Sequence, residues 1–277
     1  MLSTLRRLWK FLDERLLHPA RLIDLGNFKI YIPPKDLTVG KTVAENKSYE
    51  PHVTQELVPL LQPGTVFLDI GANLGYYSLL AASLIGSHGK VIACEPNPDN
   101  CRYLKRSIRV NGFENIEILP YGAAEREGTL KVYPHLANST SHVVDSGRSL
   151  PKEYGTKFYL IKSIVLDDVL ADKERIDLIK MDIDGGEPRA LEGLRGIIRR
   201  HRPVLFLEFC PELIRLISQV KPETFLDQIN GFGYDLYILQ PSFNKSPAPL
   251  GKQEIMHAAT QPGVDLVDLV AYPPRGR

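Results

Sequence analysis

The stretch VFLDIGANLGYYSLLAA, residues 66–82, decides the fold. It is apolar up to Asp69, turns through Gly71 and Gly75, and becomes apolar again at helical spacing. A strand that enters a helix through a glycine turn is typical of an open parallel sheet, in which ligands bind outside the carboxyl ends of the strands. Gly71 lets a ligand approach the backbone, the helix that opens at Gly75 offers free amides to an anion, and Asp69 offers a carboxylate to a cation or a hydroxyl. Asn73 stands where many such loops have glycine, and asparagine tolerates a positive φ.

Strands alternate with helices from about residue 65 onward, which predicts a mostly parallel sheet with helices on its faces. The predicted strands of this sheet are 65–70, 90–94, 116–119, 176–183, 203–209, 234–239 and 265–271. Asn97 is the predicted cap of a helix that begins at Pro98. Between residues 122 and 166 the pattern gives way to a polar stretch with two strands, 129–133 and 158–165, where loops carry substrate contacts. The sequence therefore predicts a three-layer α/β fold with an antiparallel edge strand and a β-rich insert around 122–166.

Composition favours a folded protein that does not bind nucleic acid. In 277 residues, 34 basic side chains face 33 acidic ones, and this balance leaves no electrostatic footprint for a long phosphate backbone. Three cysteines, Cys94, Cys101 and Cys210, show no metal-type spacing. We therefore expect free thiols and a cytoplasmic location.

Residues 1–45 are predicted to form an N-terminal arm with an amphipathic helix and room for a short strand, and residues 46–277 to form the ligand-binding domain. Five apolar residues of the arm can share one helical face: Leu2, Leu5, Leu8, Trp9 and Leu12. Basic residues interrupt this run, so we expect no signal peptide, and no stretch reaches the roughly 20 apolar residues of a membrane span. The arm can pack on the domain, or it can make peripheral contact with a membrane surface or a partner.

Glu95 ends the second predicted strand, twenty residues after Gly75. In the dinucleotide-binding version of this fold, an acid at that place binds the ribose hydroxyls of a nucleoside. A nicotinamide enzyme would show G-x-G-x-x-G, which is absent here. The pattern D-x-G-x-N-x-G instead resembles the S-adenosylmethionine loop of class I methyltransferases.

Three blocks together resemble the FkbM family of methyltransferases: VFLDIGANLGYYSLLAA at 66–82, EPNP at 95–98 and KMDIDGGEPRALEG at 180–193. The resemblance covers roughly residues 45 to 240. It departs from the family where Asp184 replaces the usual Glu and Gly186 the usual Ala. The resemblance implies a Rossmann-like class I methyltransferase fold and S-adenosylmethionine-dependent methylation of a hydroxyl on a sugar, a glycolipid or a secondary metabolite.

The same resemblance implies a set of cofactor contacts. Gly71, Asn73 and Gly75 would wrap the methionine part, with Asp69 near its ammonium or an adjacent amide. Glu95 would hold the ribose hydroxyls. The remaining predicted cofactor residues are Gly122 and Ala123 along the adenine, and Glu50, Ser78 and Asp182 as further contacts, although Glu50 and Ser78 could equally be capping residues.

Asp182, Asp184 and Glu187 are the predicted catalytic acids. If the fourth strand runs to Asp184, then Asp182 and Asp184 point the same way. Methyl transfer from a sulfonium is an in-line displacement, and an alcohol must lose a proton that one of these carboxylates could take. The three acids could also bind a divalent metal, or serve only a turn and a helix dipole.

Other candidates and other functions remain open at this point. His135 and His142 of the insert could serve as base or substrate contact, and Glu208 at the end of the fifth strand could face the acceptor. One rival function is a nicotinamide-dependent oxidoreductase on the same sheet topology. The other is a non-catalytic cofactor-binding module that docks to a partner through the N-terminal arm.

Overall fold

The computed structural model describes residues 20–34, 36–134, 141–240 and 245–274, with the side chains of residues 134 and 141 left aside. The helix expected before residue 20 and His135 lie outside this part of the chain. Among the described residues, no helix has the length and apolar character that a membrane crossing requires.

Strands and helices alternate along the described chain, as the sequence predicts. The strands are β1 (Arg21–Asp24), β2 (Lys29–Ile32), β3 (Val66–Ile70), β4 (Lys90–Cys94), β5 (Ile116–Leu119), β6 (Gly122–Ala123), β7 (Gly128–Pro134), β8 (Ser141–Asp145), β9 (Tyr159–Ile164), β10 (Leu178–Met181), β11 (Val204–Phe209), β12 (Asp235–Leu239) and β13 (Val267–Tyr272). The α-helices are α1 (Val39–Asn46), α2 (Pro51–Leu57), α3 (Tyr76–Ile85), α4 (Pro98–Asn111), α5 (Leu166–Val169), α6 (Glu187–Glu192), α7 (Arg195–His201), α8 (Pro211–Ile217), α9 (Pro222–Gly231) and α10 (Lys252–Ala259).

Seven strands form the main sheet in the order β12-β13-β11-β10-β3-β4-β5. From β11 to β5 the neighbours pair in parallel, which confirms the predicted α/β sheet. β13 is antiparallel to both β11 and β12. The antiparallel strand therefore lies one place inside the edge, because β12 covers its outer side. Strand order reverses between β3 and β10, so the carboxyl ends of these two strands flank the place where such sheets bind ligands.

Helices cover both faces of the main sheet. In β3, Phe67 packs into one apolar cluster while Leu68 and Ile70 pack into the other, and each is at most 1% exposed. Leu79 of α3 belongs to the first cluster and Ile197 of α7 to the second. A strand buried on both sides needs apolar residues on both faces, which explains the apolar run 66–68 that precedes Asp69 in β3.

The hairpin β1–β2 packs on α4. The backbone amide of Tyr31 donates to Ser107 Oγ at 2.9 Å, and that of Lys29 donates to Asn111 Oδ1 at 2.7 Å. Ile30 is fully buried in the same cluster as Phe67. The described part of the arm thus shares its core with the main sheet, and the division into arm and domain at residue 45 stays a prediction.

The insert is a second sheet, of order β6-β9-β7-β8. Arg189 of α6 fastens it to the main fold, because its guanidinium donates to Glu125 at 2.8 and 2.9 Å and to Asp145 at 2.8 Å. Arg148 donates to the backbone carbonyls of Leu216 and Ile217 at 2.7 and 2.5 Å. The predicted β-rich insert is therefore present, with β6 and β8 in addition to the two predicted strands.

Candidate active site

The loop between β3 and α3 follows the conformation that its residues predict. Gly71, Asn73 and Gly75 have φ values of +86°, +54° and +90°. A Cβ atom on Gly71 would lie 1.9 Å from the backbone oxygen of Asp182. Gly71 is thus required by the close approach of the chain's own segment after β10, as well as by its positive φ.

Asp69 and Ser78 meet beneath this loop. Ser78 Oγ donates to Asp69 Oδ2 at 2.5 Å, and Asp69 is only 2% exposed. Burial raises the pKa of Asp69 to about 6. The two side chains line neither of the cavities described below, so their direct effect is on the shape of the loop.

Glu95 joins the β3–α3 loop to the segment before α4. Its Oε2 accepts from the Asn73 amide and its Oε1 from the Asn97 amide, each at 2.7 Å. Burial raises the pKa of Glu95 to about 7. Asn100 Nδ2 also donates to Oε1, at 3.4 Å. A carboxylate oxygen has two lone pairs, so Oε2, with one donor, keeps room for a ligand hydroxyl.

An apolar cavity of about 480 Å³ opens beside Gly71. Gly122 and Ala123, which the family resemblance implies lie along an adenine, line this cavity. Other lining residues are Ile70, Cys94, Pro96, Tyr121 and Ile183. We call this space the apolar cavity, and its walls suit a flat aromatic ring.

A second cavity, of about 570 Å³, lies on the other side of Gly71, and we call it the polar cavity. Three tyrosines and four acids contribute to its wall: Tyr49, Tyr76, Tyr77, Glu50, Asp182, Asp184 and Glu208. Lys180 and Asn73 also line it. The structure thus brings Glu50 from the start of α2, two predicted acids after β10 and Glu208 from β11 into one space.

The carboxylates of the polar cavity outnumber its cation. Burial raises the pKa of Glu50 to about 7, although Lys180 acts in the opposite direction. Burial and the neighbouring Asp182 raise the pKa of Asp184 to about 7. Burial and the surrounding acids also raise the pKa of Glu208. Like charges held in a desolvated space favour protonation, whereas a bound cation would favour the ionised carboxylates and be attracted by them.

Lys180 is a charged site residue that the sequence reading missed, as it also missed the three tyrosines of the polar cavity. It is 6% exposed, and its Nζ lies 2.6 Å from Asp182 Oδ2 and 3.9 Å from Glu50 Oε2. The same ammonium lies 4.6 Å from the centre of the Tyr77 ring. A signal was available, because Lys180 and Asp182 are two residues apart at the end of a strand, and such residues share one face.

The strand before Asp182 is shorter than predicted. β10 ends at Met181, and Asp184 has a φ of +53° in the following turn. The alternation of a strand therefore does not set the direction of Asp184, yet Asp182 and Asp184 line the same cavity. The prediction was wrong about the strand end because the turn residues 184–186 interrupt the ladder.

Glu187 stands apart from the other two predicted acids. It is the first residue of α6, is 1% exposed, and lines neither the apolar nor the polar cavity. Its Oε1 accepts from the Ile183 amide at 2.8 Å, and burial raises its pKa to about 8. Through this hydrogen bond, Glu187 stabilises the loop that carries Asp182 and Asp184.

In the described part of the chain, neither His142 nor a cluster of metal ligands is found at the two cavities. His142 packs its ring on Tyr154 in the insert, with centroids 5.2 Å apart, and lines neither cavity. Across the described ranges, no group of three or more His, Cys, Asp or Glu side chains is arranged to hold a metal ion.

Comparison with known proteins identifies the family to which the chain belongs. The family model described as Methyltransferase FkbM domain matches residues 69–227. Protein-L-isoaspartate O-methyltransferase 1 of Archaeoglobus fulgidus is 26% identical over 121 residues, which are 43% of this chain and 51% of that protein. Methyltransferase sdnD of Sordaria araneosa is 28% identical over 167 residues, 50% of this chain and 63% of that protein. The match thus spans about half the length of the first of these relatives.

A solved structure is also among the matches. The methyltransferase FkbM of Methylobacillus flagellatus aligns with a TM-score of 0.46 and 19% identity, over 76% of this chain and 44% of that one.

Proposed function

Because the chain belongs to the FkbM family of S-adenosylmethionine-dependent methyltransferases, we propose that it methylates a hydroxyl group of a sugar, a glycolipid or a secondary metabolite. The observation that carries the proposal is the pair of cavities that meet at Gly71, one apolar and one lined by carboxylates. A cofactor with a purine at one end and cationic groups at the other suits this division.

The residues present fit that cofactor. Gly122 and Ala123 line the apolar cavity, where the purine would lie, and Glu95 lies between the two loops where ribose hydroxyls would be held. In the polar cavity, Asn73 Oδ1 is buried without a hydrogen-bond partner among the described residues. A buried acceptor of this kind is satisfied by a donor such as the ammonium of the methionine part. When bound, S-adenosylmethionine supplies a methyl group on a sulfonium, open to in-line attack.

The chain's own contribution is to position the acceptor and to receive its proton. Asp182 and Asp184 line the polar cavity, and we propose one of them as the base. Burial raises the pKa of Asp184 to about 7, close to the pH at which a general base is most effective. A general base contributes about 10²- to 10⁴-fold, or roughly 3 to 5 kcal/mol, whereas alignment supplies roughly 7 to 11. Positioning by the cavity walls therefore dominates.

The proposed partner is a small molecule in the cytoplasm. The near balance of basic and acidic residues supports it over a nucleic acid, because no excess of positive charge is available for a phosphate backbone. Contact of the N-terminal arm with a membrane surface, which would bring a glycolipid acceptor near, is part of the same proposal.

Calorimetric titration with S-adenosylmethionine, S-adenosylhomocysteine and NADH tests the function. We expect the two sulfur nucleosides to bind and NADH not to bind. Glu95→Gln removes a charged acceptor and should weaken both affinities about 10- to 100-fold. The matched control is Glu117→Gln, an exposed acid on β5 that pairs with Lys90 at 3.2 Å and should leave both affinities unchanged.

The other outcomes select the rival functions. Binding of NADH alone would favour the oxidoreductase, and would remove the reason for the hydroxyl acceptor. Binding of none of the three would favour a docking module whose cavities serve no nucleoside.

A further inference from the structure

Lys180 lies where a lysine is costly. It sits in β10 among buried apolar residues, with Ile179 and Met181 as its chain neighbours, and is 6% exposed. Burial alone would lower the pKa of its ammonium, but the carboxylates of Asp182, Glu50 and Asp69 outweigh this effect and raise it. A buried charge persists only when it is well paired, so these acids are the reason that the lysine can stay ionised.

The ammonium connects parts of the chain that are far apart in sequence. Asp182 Oδ2 lies 2.6 Å from Lys180 Nζ, and Glu50 Oε2 lies 3.9 Å from it on the N-terminal side of α2. Tyr77 of α3 presents its ring face to the ammonium and donates its hydroxyl to Glu50 Oε2 at 2.8 Å. Asp69 is the direct neighbour of Lys180 on β3.

Four further titratable groups line the same space, namely Tyr49, Tyr76, Asp184 and Glu208. Asp268, which pairs with His52 at 2.6 Å, also acts on Glu50. Lys180 is the one cation in the described wall of the polar cavity. It lowers the pKa values of Glu50, Asp69 and Asp184 against the effect of burial. The number of carboxylates ionised at neutral pH therefore depends on this ammonium.

We propose that Lys180 is the positioning residue of the active site, which gathers the side chains of Asp182 and Glu50 around one ammonium and so sets the pH at which the polar cavity attracts a cation. The inference rests on the proposed function, because the cation in question is the sulfonium cofactor. Lys180 acts through the acids beside it, and no reacting atom has to touch it.

The charge of the polar cavity can be probed by comparing the cofactor with its demethylated product. S-adenosylmethionine carries one positive charge more than S-adenosylhomocysteine, so the ratio of their dissociation constants reports ionisation close to the sulfonium. We would measure both constants from about pH 5.5 to about pH 9, which spans the raised pKa values. In the natural protein the preference for S-adenosylmethionine should rise with pH around a midpoint near the Glu50 pKa of about 7.

Lys180→Met should move this midpoint upward by about 1 to 3 pH units, the usual effect of one adjacent cation on a carboxyl. Lys180→Arg keeps the charge and should restore the natural midpoint. The matched control is Lys90→Met, which removes an exposed lysine from the opposite end of the same sheet and should leave the midpoint unchanged. If Lys180→Met does not fold, Lys180→Gln removes the charge but keeps a donor for Asp182, and should show the same shift.

A purely structural role would weaken both ligands alike and leave the midpoint where it was. That result, with both ligands still bound, overturns the role of Lys180 and leaves the methyltransferase function standing. If the natural protein binds neither ligand, the proposed function falls and the inference falls with it.

Discussion

Replacing Gly71 by alanine tests how the two cavities are joined. Gly71 has a φ of +86°, and an added Cβ would lie 1.9 Å from the Asp182 backbone oxygen and 2.8 Å from Ile183 Cγ2. The first of these atoms belongs to the backbone of the loop that carries the acids. Relief of the contact therefore requires that the β3–α3 loop and the segment after β10 move apart.

The magnitude follows from two separate costs. A left-handed conformation costs alanine about 1–2 kcal/mol relative to glycine. The forced separation of two backbone segments adds about 2–3 kcal/mol, as overpacking of a filled site does. Together they lower the free energy of unfolding by about 3–5 kcal/mol, and the melting temperature by about 6–20 °C for a chain of this size.

Gly64→Ala is the matched control. Gly64 has nearly the same φ, +85°, but nothing lies within 4 Å of its added Cβ. It should lose only the conformational cost of about 1–2 kcal/mol and bind S-adenosylmethionine normally. Thermal unfolding and calorimetric titration of the two variants measure the difference. Equal melting temperatures and equal affinities would refute the close approach of the two segments.

Two further predictions concern charge. Arg189→Met breaks the partly buried contacts of α6 with the insert and should lower the free energy of unfolding, measured in urea, by about 1.5–3 kcal/mol. The control is Arg195→Met, whose side chain is 47% exposed and which should lower it by at most about 1 kcal/mol. Equal losses of stability in the two variants would contradict the role of Arg189. Burial raises the pKa of Glu187 to about 8 and that of Glu95 to about 7, above the unfolded value of about 4.3. The native state then binds more protons than the unfolded chain, so the free energy of unfolding should fall from about pH 5 to about pH 8. Urea unfolding at several pH values measures this change. A free energy of unfolding that rises across that window would count against the burial of these acids.

Local chemistry was readable from the sequence. Asn97 caps α4 as predicted, because its side chain accepts from the amide of Asp99 two residues away at 3.0 Å. The positive φ of Asn73 likewise follows from its place between two glycines. Such features depend on neighbours in the chain, and the residue types alone specify them.

Features that depend on distant partners were not readable in the same way. From the sequence alone, Lys180 would be taken for a surface residue. Its role depends on Glu50, which is distant in the chain and lies beside it only in the folded protein. The hydrogen bond from the Ile183 amide to Glu187 depends on where β10 ends, and that end is set by the turn at Asp184. The cofactor and catalytic roles of these residues stay predictions, since charge and burial describe what the site can attract but not what it turns over.

The position of β13 has a consequence for how the chain is made. β13 lies between β11 and β12 and is the bridge that attaches β12 to the sheet. A nascent chain that has emerged only as far as residue 260 has both strands but no ladder between them, and each presents an unpaired edge. Completion of the sheet must therefore wait until Val267–Tyr272 has left the ribosome, and during that interval the exposed edges are open to pairing with other chains.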